Sequence, residues 1–182
     1  MMLTLFYPIA LLQAAATPAD GEPAPTPPPP PPACASDVHT GFDLWVGEWD
    51  VYPTGTDNQV ANSRIEKLSG GCTIREQWMP FQGAGGISLS AVNHNSGRWE
   101  QTWVGSDGKR VDFEGGVVDG KMVLTGYWDD VAGPGQDALV RMTYSRVDDT
   151  SVRQFGEAST NHGVSWQPFF DFTYRPRKPE TQ

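Results

Sequence analysis

Turn signals recur along this chain at strand-length intervals, and nothing between them keeps a helical period. From Gly41 onward, short segments are divided by Asn95-Ser96-Gly97, Asp107-Gly108, Asp119-Gly120, Asp148-Asp149 and Asn161-His162-Gly163. Each places Asn, Asp or Gly where a tight reversal needs them. The segments read as ten strands, at 47–54, 61–68, 72–79, 86–94, 98–104, 110–116, 121–128, 138–147, 151–159 and 164–175. Parallel pairing needs long crossovers, and these links are short, so the fold class is all-β with an antiparallel up-and-down order. A meander of about ten strands removes its exposed edges most simply by closing into a barrel. No self-similarity with a period of roughly 20–50 residues appears, which disfavours a propeller.

Composition agrees. Twenty Gly and sixteen Pro among 182 residues suit turns better than helices. Seven Trp allow a sizeable core although only 38% of residues are hydrophobic. The formal charge is -9 and no basic cluster stands out, so phosphate backbones are repelled and nucleic acid is not an expected partner. Anionic membrane surfaces are disfavoured for the same reason.

The chain divides into an apolar start at 1–16, a Pro-rich linker at 17–40, a barrel at 41–176 and a tail at 177–182. The first segment, MMLTLFYPIALLQAAA, lacks charged side chains, is too short to span a bilayer and ends on Ala14-Ala15-Ala16. That ending reads as a secretory signal cut after Ala16. An uncleaved apolar anchor is the alternative, since no Lys or Arg precedes the run. Pro27 to Pro32 are consecutive prolines, which form an extended polyproline spacer and no core. The expected location is periplasmic or secreted, with no stable membrane insertion once the signal is removed. In an oxidising compartment Cys34 and Cys72 invite one disulfide.

Alternation within strands shows what the barrel encloses. One face of 72–79 carries Cys72, Ile74, Glu76 and Trp78, and the other carries Thr73, Arg75 and Gln77. In 98–104, Trp99, Gln101 and Trp103 share a face opposite Arg98, Glu100 and Thr102. The wetter faces belong in solvent, so Glu76 and Gln101 are predicted to point inward among indoles. Met122, Leu124 and Trp128 follow the same rule, as do Phe170, Phe172 and Tyr174. A barrel of about ten strands is wider than side chains readily fill, so a cavity is expected. A Trp-lined interior with a few polar groups suits a small molecule.

Gly47-Glu48-Trp49 resembles the Gly-x-Trp at the start of lipocalins, and the ten-strand meander resembles the wider calycin group of fatty-acid-binding and nitrobindin-like barrels. FDLWVGEWDV, GCTIREQW, GRWEQTWVGSDG and DGKMVLTG are similar to phrases of a family of secreted bacterial proteins without an assigned activity, over roughly residues 42–175. The calycin resemblance implies a barrel with an internal apolar pocket and does not specify a ligand. Nitrobindin-like barrels hold haem through a histidine that reaches the cavity. None of His39, His94 and His162 is well placed for that, although His94 or His162 could reach a barrel mouth, so no cofactor is expected and haem is the disfavoured alternative. STNHGVSW, residues 159–166, resembles the Asp-box hairpin, with Asn161 in the Asp position.

The favoured reading is an exported, non-enzymatic barrel that binds a small apolar or amphipathic molecule. Trp49, Trp78, Trp99 and Trp103 would line or close its cavity, and Glu76, Gln101 and Arg141 would orient a polar group. An inward Glu76 has a raised pKa unless a cation such as Arg141 or Arg153 pairs with it. Two alternatives stand beside this reading. One is an enzyme that uses Glu76 as acid or base on a small hydrophobic substrate. The other is an envelope module with a solid barrel core. No nucleophile elbow, zinc-protease helix or phosphate loop is present. No metal ligand set is expected either. The acids Glu48 and Asp50 fall opposite Trp49 and read as surface charge.

Overall fold

The structure is a computed structural model that describes residues 34–177. The expected signal segment, the Pro-rich run and residues 178–182 lie outside the described residues. Within them the strands are β1 Gly47–Pro53, β2 Ala61–Leu68, β3 Thr73–Pro80, β4 Gly86–Val92, β5 Trp99–Gly105, β6 Arg110–Val118, β7 Lys121–Trp128, β8 Ala138–Arg146, β9 Val152–Ser159 and β10 Gln167–Pro176. Each pairs antiparallel with the next, and β10 returns to β1 through Trp49 opposite Pro176 and Pro53 opposite Phe172. The barrel is therefore closed, and every strand edge is used.

Alternation sets the inner face. Along β8, Ala138, Val140, Met142 and Tyr144 are buried, while Leu139, Arg141, Thr143 and Ser145 between them are half-buried. Side-chain oxygens of Asn93, Asp107 and Asp148 accept backbone amides two or three residues on, which shapes the turns leaving β4, β5 and β8. The last strand begins at Gln167 rather than at 164, because the preceding residues are held in a side-chain-bonded turn. There Ser159 Oγ accepts the Gly163 amide at 2.8 Å and Asn161 Oδ1 accepts the Ser165 amide at 2.9 Å. Gly163 takes a φ of 87°, so the Asp-box-like phrase is a hairpin fastener.

One end of the barrel is sealed by the lead-in chain. Residues 34–40 carry the cysteine and a 3-10 turn, Asp37–Thr40, and a second such turn, Asp43–Trp45, follows. Phe42 and Trp45 are fully buried. Trp45 packs 4.7 Å from Tyr144, and Phe42 packs 5.1 Å from Trp99, ring centre to ring centre. Trp49 Nε1 donates to the Trp45 carbonyl at 2.8 Å, and Trp99 Nε1 donates to the Val38 carbonyl at 3.0 Å. A buried aromatic ring removes roughly 150–250 Å² from water, at most about 4–6 kcal/mol each at ~25 cal/mol per Å². Cys34 and Cys72, with Cα atoms 5.0 Å apart, form the expected disulfide and tie the lead-in to the end of the β2–β3 connection.

Candidate functional site

Away from the plug, the inner faces of the strands enclose a cavity of about 280 Å³. Its walls are aromatic rings: Trp78 from β3, Trp103 from β5, Phe113 from β6, Trp128 from β7, and Phe170 and Phe172 from β10. A register shift between Pro168 and Phe170 bulges β10, and Phe169 joins the lining there, edge-on to Trp128 at 6.2 Å. Gly86 and Gly156 make room for these rings. A Cβ on Gly86 would collide with the Trp103 indole, and one on Gly156 with the Phe170 ring.

Polar side chains form a belt between the cavity and the plug. Glu76 on β3 is only 5% exposed. Its two oxygens accept Ser63 Oγ from β2 at 3.3 Å and Ser88 Oγ from β4 at 3.1 Å. Gln101 on β5 donates to Ser90 Oγ at 3.0 Å. Across the barrel, Tyr174 donates its hydroxyl to Gln154 Oε1 at 2.6 Å, and Gln154 Nε2 donates to the Tyr144 hydroxyl at 3.0 Å. Glu76, Gln101, Tyr144, Gln154 and Tyr174 all reach the cavity wall.

Among the described residues no cation pairs with Glu76. Arg141 and Arg153, the two considered from sequence, occupy the outer positions of β8 and β9. Arg153 is paired bidentately with Asp171 at 2.7 and 2.6 Å. Arg141 donates to Glu157 Oε2 at 3.1 and 2.8 Å, and its guanidinium lies 4.1 Å over the Trp166 ring. The expectation that Arg141 orients a ligand is therefore corrected: parity along β8 sends it outward because Val140 and Met142 take the inner positions. Burial pushes the Glu76 carboxyl up to about 7, with the Ser88 and Ser63 hydroxyls pulling against it. Burial, followed by the charge of Glu76, also raises the Tyr144 and Tyr174 phenols. The belt is thus a set of neutral hydrogen-bonding groups around one carboxyl that titrates near neutrality.

The remaining candidate residues divide between the two ends. Trp78, Trp103, Glu76 and Gln101 meet at the cavity, whereas Trp49 and Trp99 belong to the plug. Among the described residues no histidine lines the cavity, and no group of three His, Cys, Asp or Glu side chains could hold a metal ion. His162 sits 2.9 Å from the Tyr127 hydroxyl outside it. The residues that sequence reasoning missed are Ser63, Ser88, Ser90 and Gln154, together with the belt role of Tyr144. In GISLSAV the alternation was visible, but apolar Ile87 and Leu89 face outward there, 49% and 51% exposed, and the serines face inward. The one available signal was that Ser88 falls opposite Glu76 once β3 and β4 are paired.

No protein-family model matches the chain, and no curated protein matches it. The closed ten-stranded antiparallel barrel is compatible with a calycin-like fold, and its aromatic interior is consistent with a ligand-binding barrel.

Proposed function

We propose that the protein is an exported, non-enzymatic carrier or receptor for one small amphipathic molecule. The apolar body of the ligand lies among Trp78, Trp103, Trp128, Phe170 and Phe172, and its polar end meets Glu76, Gln101 and Gln154. The observation that carries this reading is the asymmetry of the barrel interior: one end is packed solid, and the other surrounds about 280 Å³ with rings and a polar floor. That volume lies near the lower end of ordinary small-molecule pockets, roughly 300–1,000 Å³, so the ligand is small. The cavity weighs against an envelope module with a solid core. The Cys34–Cys72 bridge supports an oxidising compartment, periplasmic or extracellular. Among the described residues no helix is long and apolar enough to cross a membrane. The direct test is titration of the natively purified protein with panels of small apolar and amphipathic molecules, read by tryptophan fluorescence and calorimetry. Saturable quenching that is lost in Trp103→Ala supports the reading, and no saturable binding from any panel ends it.

One observation favours a second reading. A buried carboxyl poised at about 7, facing two phenols, is what a general acid or base requires. Turnover of a small hydrophobic substrate, abolished in a folded Glu76→Gln variant, would replace the carrier reading with an enzymatic one.

A further inference from the structure

Binding a small molecule does not say which chemistry the cavity prefers, and the distribution of charge around it does. Resting on the carrier reading above, we infer that the cavity is built for a small organic cation: a protonated amine on an aromatic or branched aliphatic body, its ammonium against Glu76 and its body within the ring cage. Glu76 is a carboxylic acid at the cavity floor whose protein partners are two neutral hydroxyls. An ionised carboxylate has about four lone-pair sites, so two hydroxyl contacts leave it able to accept more. Among the described residues no Lys, Arg or His lines the cavity, and the nearby guanidiniums are committed outside, Arg141 to Glu157 and Arg153 to Asp171. Among the described residues none supplies a counter-charge to Glu76, so an entering cation would fill that role.

The walls fit the same ligand. Trp78, Trp103 and Trp128 line the cavity, and an indole face attracts a desolvated cation more strongly than other aromatic rings do. An anionic ligand would face Glu76 with no cation to receive it, a like-charge contact that costs several kcal/mol. A neutral ligand would fill the cage but leave the carboxyl without a counter-ion. The net charge of -9 adds a field that draws cations toward the protein.

The pH dependence of such binding is set locally. Ser63 on β2, Ser88 on β4, Gln101 on β5 and Gln154 on β9 are neutral, and the ionisable groups facing Glu76 are the phenols of Tyr144 on β8 and Tyr174 on β10. Both phenols stay protonated, held above their ordinary range by burial and by Glu76 itself. Glu76 is therefore the titrating group, and an amine binds best above the pH at which that carboxyl ionises, about 7, and below the amine's own pKa.

The experiment compares three probes of similar shape: 2-phenylethylamine, 2-phenylethanol and 3-phenylpropanoate. Each is titrated into the full chain by calorimetry and by tryptophan fluorescence at pH 8 and pH 5.5. At pH 8 the amine should bind at least about tenfold tighter than the alcohol, equivalent to about 1.4 kcal/mol, and the propanoate should bind weakest. At pH 5.5 the advantage of the amine should collapse while the affinity for the alcohol holds. In Glu76→Gln the amine should lose its advantage, the ratio of the amine and alcohol affinities measured on that variant falling to about one. The pH series on the unmodified protein tests the idea even if that variant folds poorly. If the alcohol binds and the amine has no advantage, or keeps its advantage in Glu76→Gln, the cation inference is overturned while the carrier reading stands. Tighter binding of the propanoate also overturns it. If a broad panel of apolar molecules also fails to bind, the carrier reading falls and this inference with it.

Discussion

At the sealed end of the barrel the indoles of Trp45, Trp49 and Trp99 are no more than 6% exposed, and two of them donate to lead-in carbonyls. At the open end Trp78, Trp103 and Trp128 are only half-buried and surround space. Residue type is the same, and context separates the roles. The plug indoles are covered by a segment that crosses the barrel end and is tied down by a disulfide. Among the described residues no segment packs into the other end, and its rings line a cavity. Aromatic content alone therefore cannot distinguish packing from a ligand site in a barrel; what matters is whether the chain supplies something to fill the rings.

The sharpest way to break this contrast is to truncate one indole at each end. Trp45→Ala should cost about 3–5 kcal/mol, because it opens a fully enclosed hole in the plug. Trp103→Ala should cost only about 1–2 kcal/mol and instead weaken ligand binding. Guanidinium denaturation followed by ligand titration measures both, and equal stability losses would dissolve the distinction. Next in size is the staple. Replacing Cys34 and Cys72 together with Ser removes a link across 38 residues, which should cost about 4 kcal/mol by loop-closure entropy. Ligand affinity should be unchanged, since the staple belongs to the other end.

The polar belt between the two ends makes a prediction in pH. The folded Glu76 carboxyl sits at about 7 against an ordinary value of 4.5. Below pH 4.5 it is neutral in both folded and unfolded chains. Between 4.5 and about 7 the folded chain keeps a proton that the unfolded chain has released, so its contribution to stability falls as pH rises and is fully lost above about 7. At ~1.4 kcal/mol per pH unit the loss is at most about 3.5 kcal/mol. Glu76→Gln should flatten the stability curve in that window and make the variant the more stable protein at pH 8. Asp171, held low by Arg153, works in the opposite sense only in more acidic solution, so the two effects separate in a denaturation series. The smallest effect concerns the outer wall. Arg141→Ala should cost less than about 1 kcal/mol, as half-exposed ion pairs do, and leave ligand affinity untouched. A loss of affinity would return Arg141 to the cavity.

Strand positions, the closed antiparallel order and the inward faces of β3 and β5 were legible because side-chain parity and turn chemistry are local. Glu76 and Gln101 could be named from their places beside Trp78 and Trp103. Ser88 and Ser90 could not, because β4 runs against the hydrophobic rule. Pairing sets Ser88 beside Glu76 and Trp103 and Ser90 beside Gln101, so the serines of β4 take the inner face and Ile87 and Leu89 turn outward. Arg141 was misread although parity was available: Val140, Met142 and Tyr144 alternate with it and take the inner positions of β8.

By itself the sequence determined that this chain forms a closed meander led in by a Trp-rich segment, since alternation and turn residues act over a few positions. FDLWVGEWDV belongs to that determined part: Phe42, Trp45 and Trp49 are architectural, and Glu48 and Asp50 lie on the far side of the strand from Trp49. Only the tertiary structure decided which end stays open, that Glu76 has no cation beside it among the described residues, and that its neighbours are hydroxyls, amides and phenols. Those facts depend on closure, which brings β3, β8 and β10 across the barrel from one another. No local pattern encodes what faces a residue from the opposite wall.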